Sequence, residues 1–178
     1  MSELDHPGVR KVLAVLAEAG LGEAAAGVRI LGAEVRTAAL AAQAVGVEVG
    51  AIANSLVFTA VRGERTAPLL AMTSGAHRAD LALLATLSGA DQVGRADADF
   101  VRAHTGQAIG GVAPVGHPAR IQTLVDVALR KYPVIWAAAG HPKSVFPITF
   151  DELVALTSGT PADVAGDAAE SGGTGGTK

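Results

Sequence analysis

A chain of 178 residues with a net charge of −3, 49% hydrophobic residues and only 3% aromatics has the makings of one ordinary domain, its core built from small aliphatic side chains. It contains no cysteine, which excludes disulfides, thiolate zinc sites and a cysteine nucleophile and fits a reducing compartment. The pI is about 5.9, and the basic residues form only isolated pairs such as Arg10-Lys11 and Arg130-Lys131, so any RNA contact is expected to be weak or confined to a terminus.

No run of 18 apolar residues occurs, so no transmembrane helix and no membrane partner are expected. Residues Met1 to Asp5 lack the basic and apolar regions of a signal peptide, which makes a cytoplasmic location the expectation. Along the chain, Asp5 or His6 is placed to cap a first helix over 6–19, with Pro7 in its first turn. Val9, Val12, Leu13 and Leu16 give that helix an apolar stripe, and Gly20 and Gly22 end it. Residues 28–31 read as a short strand. Thr37 opens a second helix over 38–45, stopped by Gly46.

The pattern then changes. Residues 55–61 are rich in β-formers, Arg62-Gly63-Glu64-Arg65 is a polar turn, and 68–73 is a second apolar run, which together predict a hairpin with a longer loop. A short helix over 80–87 ends at Ser88-Gly89, and Asp97 caps another that runs to about 104. Residues 106–118 hold four glycines and two prolines, which excludes a helix and predicts a shaped loop with strand-like pieces. Strands follow at 122–126, 133–139 and 144–148. Thr149-Phe150-Asp151-Glu152 has capping-box spacing and opens a last helix over 152–156. Core residues run out beyond 158, so residues 159–178 are expected to be a disordered Gly-rich tail after a domain spanning 1–158. Short strands in succession, with few long helices between them, predict a mixed α/β fold with a largely antiparallel sheet and flanking helices.

The common catalytic signatures are missing. There is no Gly-x-Ser-x-Gly elbow, no His-Glu-x-x-His, no Walker loop and no Gly-x-Gly-x-x-Gly fingerprint. What remains is a site built from backbone. Gly110-Gly111-Val112-Ala113-Pro114 offers N–H groups with little side-chain cover, which can hold a carbonyl oxygen that gains charge during ester hydrolysis. The alternative is a tight turn or bulge with no ligand. His117 and His141 each sit in a Gly-His-Pro triplet and are placed either to line a cleft or to serve as ordinary turn residues. His6, His77 and His104 read as helix-end or surface residues. Asp126 is either a site carboxylate or a strand-end cap.

These segments together resemble the YbaK/EbsC family. Thr105-Gly106 followed by Gly110 to Pro114 is similar to its Gly-x-x-x-Pro loop. Asn54-Ser55-Leu56-Val57-Phe58 resembles the strand beginning at its functional lysine, and residues 74–80 resemble the loop after the second hairpin strand. Residues 138–142, Val145-Phe146 and Phe150-Asp151-Glu152-Leu153 resemble its C-terminal block. The likeness covers residues 6–158.

The resemblance implies a barrel-like editing-domain fold. It also implies a trans-acting deacylase that cleaves the ester of a small, wrongly attached amino acid on tRNA, of the proline-tRNA editing type. The implied partners are the acceptor end of aminoacyl-tRNA and an aminoacyl-tRNA synthetase, with no cofactor and no metal. Carried over by position, Gly110, Gly111, Val112 and Ala113 hold the carbonyl. Ser55, Ser74, Gly75, Pro114, His117, His141 and Lys143 surround the substrate. Asn54 stands where the family has lysine. It can still place a ribose hydroxyl, but a neutral hydrogen bond is about half as strong as a charged one. Lys143 is a second source of that charge. Two other readings stay open: a module that grips an aminoacyl or nucleotide end without hydrolysis, and a hydrolase of small activated esters.

Overall fold

The computed structural model describes residues 6–109 and 111–166. Helix α1 (Pro7–Glu18) is capped by His6, whose Nδ1 accepts the Gly8 N–H, and Pro7 sits where a missing N–H costs little. Its Val9, Val12 and Leu16 are fully buried. Gly22, expected to end this region, instead begins a short helix α2 (Gly22–Ala26). The run Glu23-Ala24-Ala25-Ala26 has enough helix propensity to carry one turn past the glycine. Thr37 caps α3 (Ala38–Val45), and Gly46 ends it in the left-handed conformation.

One eight-stranded sheet dominates. Its strands are β1 (Arg29–Ile30), β2 (Ile52–Arg62), β3 (Arg65–Ser74), β4 (Gln92–Arg95), β5 (Gln122–Asp126), β6 (Ile135–Ala138), β7 (Ser144–Ile148) and β8 (Thr160–Ala162). The path runs β1-β7-β6-β2-β3-β5-β8 and is open, with β4 attached to β2 beside it. The sheet is mixed and mostly antiparallel: β1 with β7, β7 with β6, β2 with β3 and β2 with β4 are antiparallel pairs. The parallel pairs are β2 with β6, β3 with β5 and β5 with β8.

The β2–β3 hairpin turns on Gly63-Glu64 alone, because Arg62 and Arg65 still pair. The expected longer loop is therefore wrong. Polar Arg65 and Thr66 belong to the strand with Ala67, and Pro68 lies just outside the stretch of β3 that β5 covers. Alternation along β3 sends Leu70 and Met72 to one face and Leu69 and Ala71 to the other. The first face packs on α1 through Val12 and Leu16 and on Phe146 and Leu153. The second packs on Leu84 of α4 (Leu81–Ser88) and on Phe58, Val93 and Val164. Helix α5 (Ala98–Thr105) is capped by Asp97, and α6 (Phe150–Thr157) carries the expected capping box between Thr149 and Glu152.

Two strands escape the sequence pattern. β4 is short and polar. β8 falls within 159–178, the stretch expected to be a disordered tail. Here Thr160–Ala162 pairs with β5, and Val164 and Ala165 are buried, so residues up to 166 are part of the fold. The remainder of the expected tail, 167–178, lies outside the described residues. Among the described residues, no helix is long and apolar enough to cross a membrane.

Candidate active site

The site begins with a gap in the sheet. On the edge of β2 away from β3, β6 pairs with Ile52 and Ala53, and β4 pairs with Phe58 to Val61. Neither strand reaches residues 54–57. Asn54, Ser55, Leu56 and Val57 thus border an opening between two strand partners, and a cleft of about 820 Å³ lies there. Its size fits a small-molecule or nucleotide-end ligand. Gly111 and Val112 form one wall, with Ile109 beside them. Residues 35–38, with Leu31, form the wall contributed by the β1–α3 connection, and Trp136, Ala138, Lys143 and Ser144 complete the lining.

Among the described residues, four cations line this cleft and no carboxylate does: Arg36 before α3, Arg78 before α4, Arg95 at the end of β4 and Lys143 in the β6–β7 turn. They are far apart in sequence, so no basic run announces them. A concave site lined by one sign of charge concentrates potential and attracts anions even on a protein of net charge −3. The Lys143 ammonium donates to the Val35 carbonyl, and the Leu31 N–H donates to the Lys143 carbonyl, so the lysine also ties the 31–37 connection to the turn.

The described residues of the glycine-rich loop, 111–121, are irregular with bends rather than strand-like pieces. Gly110 lies outside the described residues. Gly111 packs against the Gly140-His141-Pro142 turn so closely that a Cβ there would stand 2.6 Å from the Pro142 nitrogen. Gly140 has a φ of +100° and meets Gly8 of α1 on its other side, which explains why this turn starts with glycine. Among the described residues, no acceptor takes the N–H of Gly111 or of Val112.

A model of the aminoacyl-tRNA editing domain matches residues 32–156, a span that holds every cleft wall but Leu31. The chain belongs to the aminoacyl-tRNA editing domain family. A crystal structure described as a candidate trans-editing enzyme for prolyl tRNA synthetase superposes with a TM-score of 0.79 at 42% identity, covering 89% of this chain and 97% of that one. A structure from work on epitope backbone grafting onto scaffold proteins gives 0.80 at 40% identity, covering 90% and 98%. The EbsC protein of Enterococcus faecalis, named as a candidate Cys-tRNA(Pro)/Cys-tRNA(Cys) deacylase, is 28% identical over 123 residues, 69% of this chain and 73% of its own length.

In this editing domain the cleft gathers Asn54, Ser55, Gly111, Val112 and Lys143 from the residues singled out in the sequence. It does not gather the other described ones. Ala113 is fully buried and its N–H donates to Gln107 Oε1 at 2.8 Å, which removes it from the carbonyl-holding set. Pro114 and His117 line a separate hollow of about 150 Å³. His117 Nε2 donates to the Ala113 carbonyl at 2.9 Å. Burial pushes the His117 pKa down and the nearby Lys11 charge adds to this, against an opposing lift from the Ala113 bond. His141 stacks edge-on to His6, and its Nδ1 accepts the Lys143 N–H, so it shapes the turn rather than the cleft.

Ser74 and Gly75 are likewise structural. The Ser74 hydroxyl donates to the Gly50 carbonyl, and a Cβ on Gly75 would meet the Val49 carbonyl. Asp126 is fully buried and proves to be a cap. It accepts from the N–H groups of Ser74 and Ala128 and pairs with His77 at 2.9 Å. That pair, unforeseen for His77, anchors the segment that delivers Arg78 to the cleft. Arg36, Arg78, Arg95, Trp136 and Gln107 carried no local sequence signal, because each matters only through where the chain brings it.

Proposed function

We propose that the chain hydrolyses mischarged aminoacyl-tRNA in trans, with the aminoacylated 3′ end in the β2 cleft. The observation that carries this reading is the meeting, among the described residues, of the Gly111-Val112 backbone, the open edge of β2 and four cations without a carboxylate in one cleft. The Gly111 and Val112 N–H groups receive the ester carbonyl oxygen as it becomes an oxyanion. Gly110 joins them by its place in the sequence. Asn54, first residue of the open edge, holds a ribose hydroxyl, and Ser55 lies next to it. Arg36, Arg78, Arg95 and Lys143 supply positive charge to the phosphates of the acceptor end, the role left vacant by asparagine at position 54.

Water adds to the acyl carbon and the bond to the ribose oxygen breaks. The proton released by the water ends on that oxygen, giving a free amino acid and uncharged tRNA. The described cleft lining has no imidazole or carboxylate, so proton transfer falls to the substrate's own hydroxyl and amino groups. The same lack of a protein base favours, as a second reading, a module that grips the aminoacyl end without cleaving it. An aminoacyl-tRNA synthetase is the natural source of the substrate, and the cytoplasm its place.

The test is a deacylation panel, each tRNA charged with Ala, Cys, Ser, Thr or Pro. Selective release of a small amino acid from proline tRNA is the expected result. Binding of every charged tRNA without release of any supports the gripping module instead, and neither binding nor release contradicts both.

A further inference from the structure

We propose that Gln107 is a positioning residue that sets the shape of the oxyanion-binding loop, an inference that rests on the deacylase reading above. Its backbone is fixed first. α5 ends at Gly106 in the left-handed conformation, and the Thr105 hydroxyl accepts the Gln107 N–H at 3.0 Å while donating to the Val101 carbonyl at 2.7 Å. The side chain is then turned inward and buried. Both ends of its amide are used across the loop: Oε1 accepts from the Ala113 N–H at 2.8 Å, and Nε2 donates to the Val115 carbonyl at 3.3 Å. From the other side, His117 Nε2 fastens the Ala113 carbonyl.

Residue 113 therefore has both its polar backbone groups tied to buried or half-buried side chains. The consequence reaches the cleft through the planar trans peptide between 112 and 113. With the Ala113 N–H aimed at Gln107, the Val112 carbonyl must point the opposite way. That fixes the plane on which the Val112 end of the site is hung, while Gly111 and Val112 themselves face the cleft without such ties. A neutral side chain with a donor and an acceptor at one tip is needed here, and glutamine supplies both. A glutamate carboxylate at this position accepts from Ala113 but faces the Val115 carbonyl with no proton to give. Protonated, it recovers both bonds, and burial raises the pKa at which it does so.

The test uses the full chain with Gln107→Glu and Gln107→Leu. Deacylation of the best panel substrate is followed from about pH 8 to about pH 5, spanning the range of a buried carboxyl. Melting temperature and amide hydrogen exchange at Ala113 are measured on the same proteins. Near pH 8 both variants are expected to lose kcat about 10²-fold, the cost typical of a misplaced catalytic geometry, with KM little changed. The Gln107→Glu deficit relative to wild type shrinks as the pH falls, and its Ala113 protection returns. The Gln107→Leu deficit stays constant.

A purely structural role lowers the melting temperature without touching kcat of the folded protein, and that result overturns the proposal. So does a Gln107→Glu deficit that ignores pH. If wild type cleaves none of the esters, exchange still decides: Ala113 protection that follows the clamp leaves the positioning role standing and sinks the deacylase reading. Protection unchanged in Gln107→Leu sinks the clamp itself.

Discussion

The two walls of the cleft are built to different standards. The wall carrying Gly111 and Val112 is pinned from behind by Gln107, Thr105 and His117 and braced by the Gly140-His141-Pro142 turn. The wall of Leu31 and residues 35–38 is tied to the β6–β7 turn by the Leu31 N–H and by the Lys143 ammonium, and presents the exposed Arg36. Groups that meet a reacting carbonyl lose their effect when misplaced by an ångström, whereas long cations attract phosphates over a range of positions. On the proposed reading, the buried hydrogen bonds thus fall where geometry is demanding and the long charged side chains where it is less so.

The comparison is broken most easily from the charged side. Arg36→Gln combined with Arg95→Gln is expected to weaken tRNA binding about tenfold at low salt. It should also flatten the dependence of log affinity on log salt by about 0.7 for each phosphate that is no longer neutralised. The loss should fall mainly on KM, in contrast with the kcat loss expected at Gln107. Equal salt slopes in variant and wild type would mean that these arginines do not meet phosphates.

The pinned side is sharpened by pH. The folded protein holds His117 neutral below the ordinary histidine pKa of about 6.5, so the unfolded chain takes up that proton first. The stability this contributes is complete above about pH 6.5 and is lost as pH falls toward the lower folded-state value. Urea midpoints at about pH 7.5 and about pH 5.5 should therefore differ less in His117→Gln than in wild type. An identical drop in both proteins contradicts the assignment of His117 as a buried tie.

Local rules carried the sequence far in some places and not in others. Caps at Thr37, Asp97 and Thr149 and stops at Gly46, Gly89 and Gly106 placed α3, α4, α5 and α6 close to their observed ends, while α2 was missed. Strands β5 and β7 matched because their apolar residues lie between clear breakers. β4 and β8 did not, since each is held by partners on distant strands and looks polar or tail-like alone. At the cleft, Gly111, Val112 and Asn54 had been singled out through motif and resemblance, and the structure brings them to one lining. Ala113 was misassigned because the partner of its N–H is a side chain on another turn. Arg36, Arg78 and Arg95 were illegible because they join Lys143, which the sequence had singled out, only after the sheet forms.

The central claim is that the main chain at Gly111-Val112 holds the ester carbonyl during cleavage, and Gly111→Ala tests it most directly. Its new methyl meets the main chain of His141 and Pro142 at 2.8 and 2.6 Å, so the loop must shift. Single-turnover deacylation of the best substrate should slow by about 10² or more, the usual cost of a lost oxyanion donor, with tRNA affinity largely kept and folding verified by melting. A folded Gly111→Ala protein that cleaves at the wild-type rate would contradict the account.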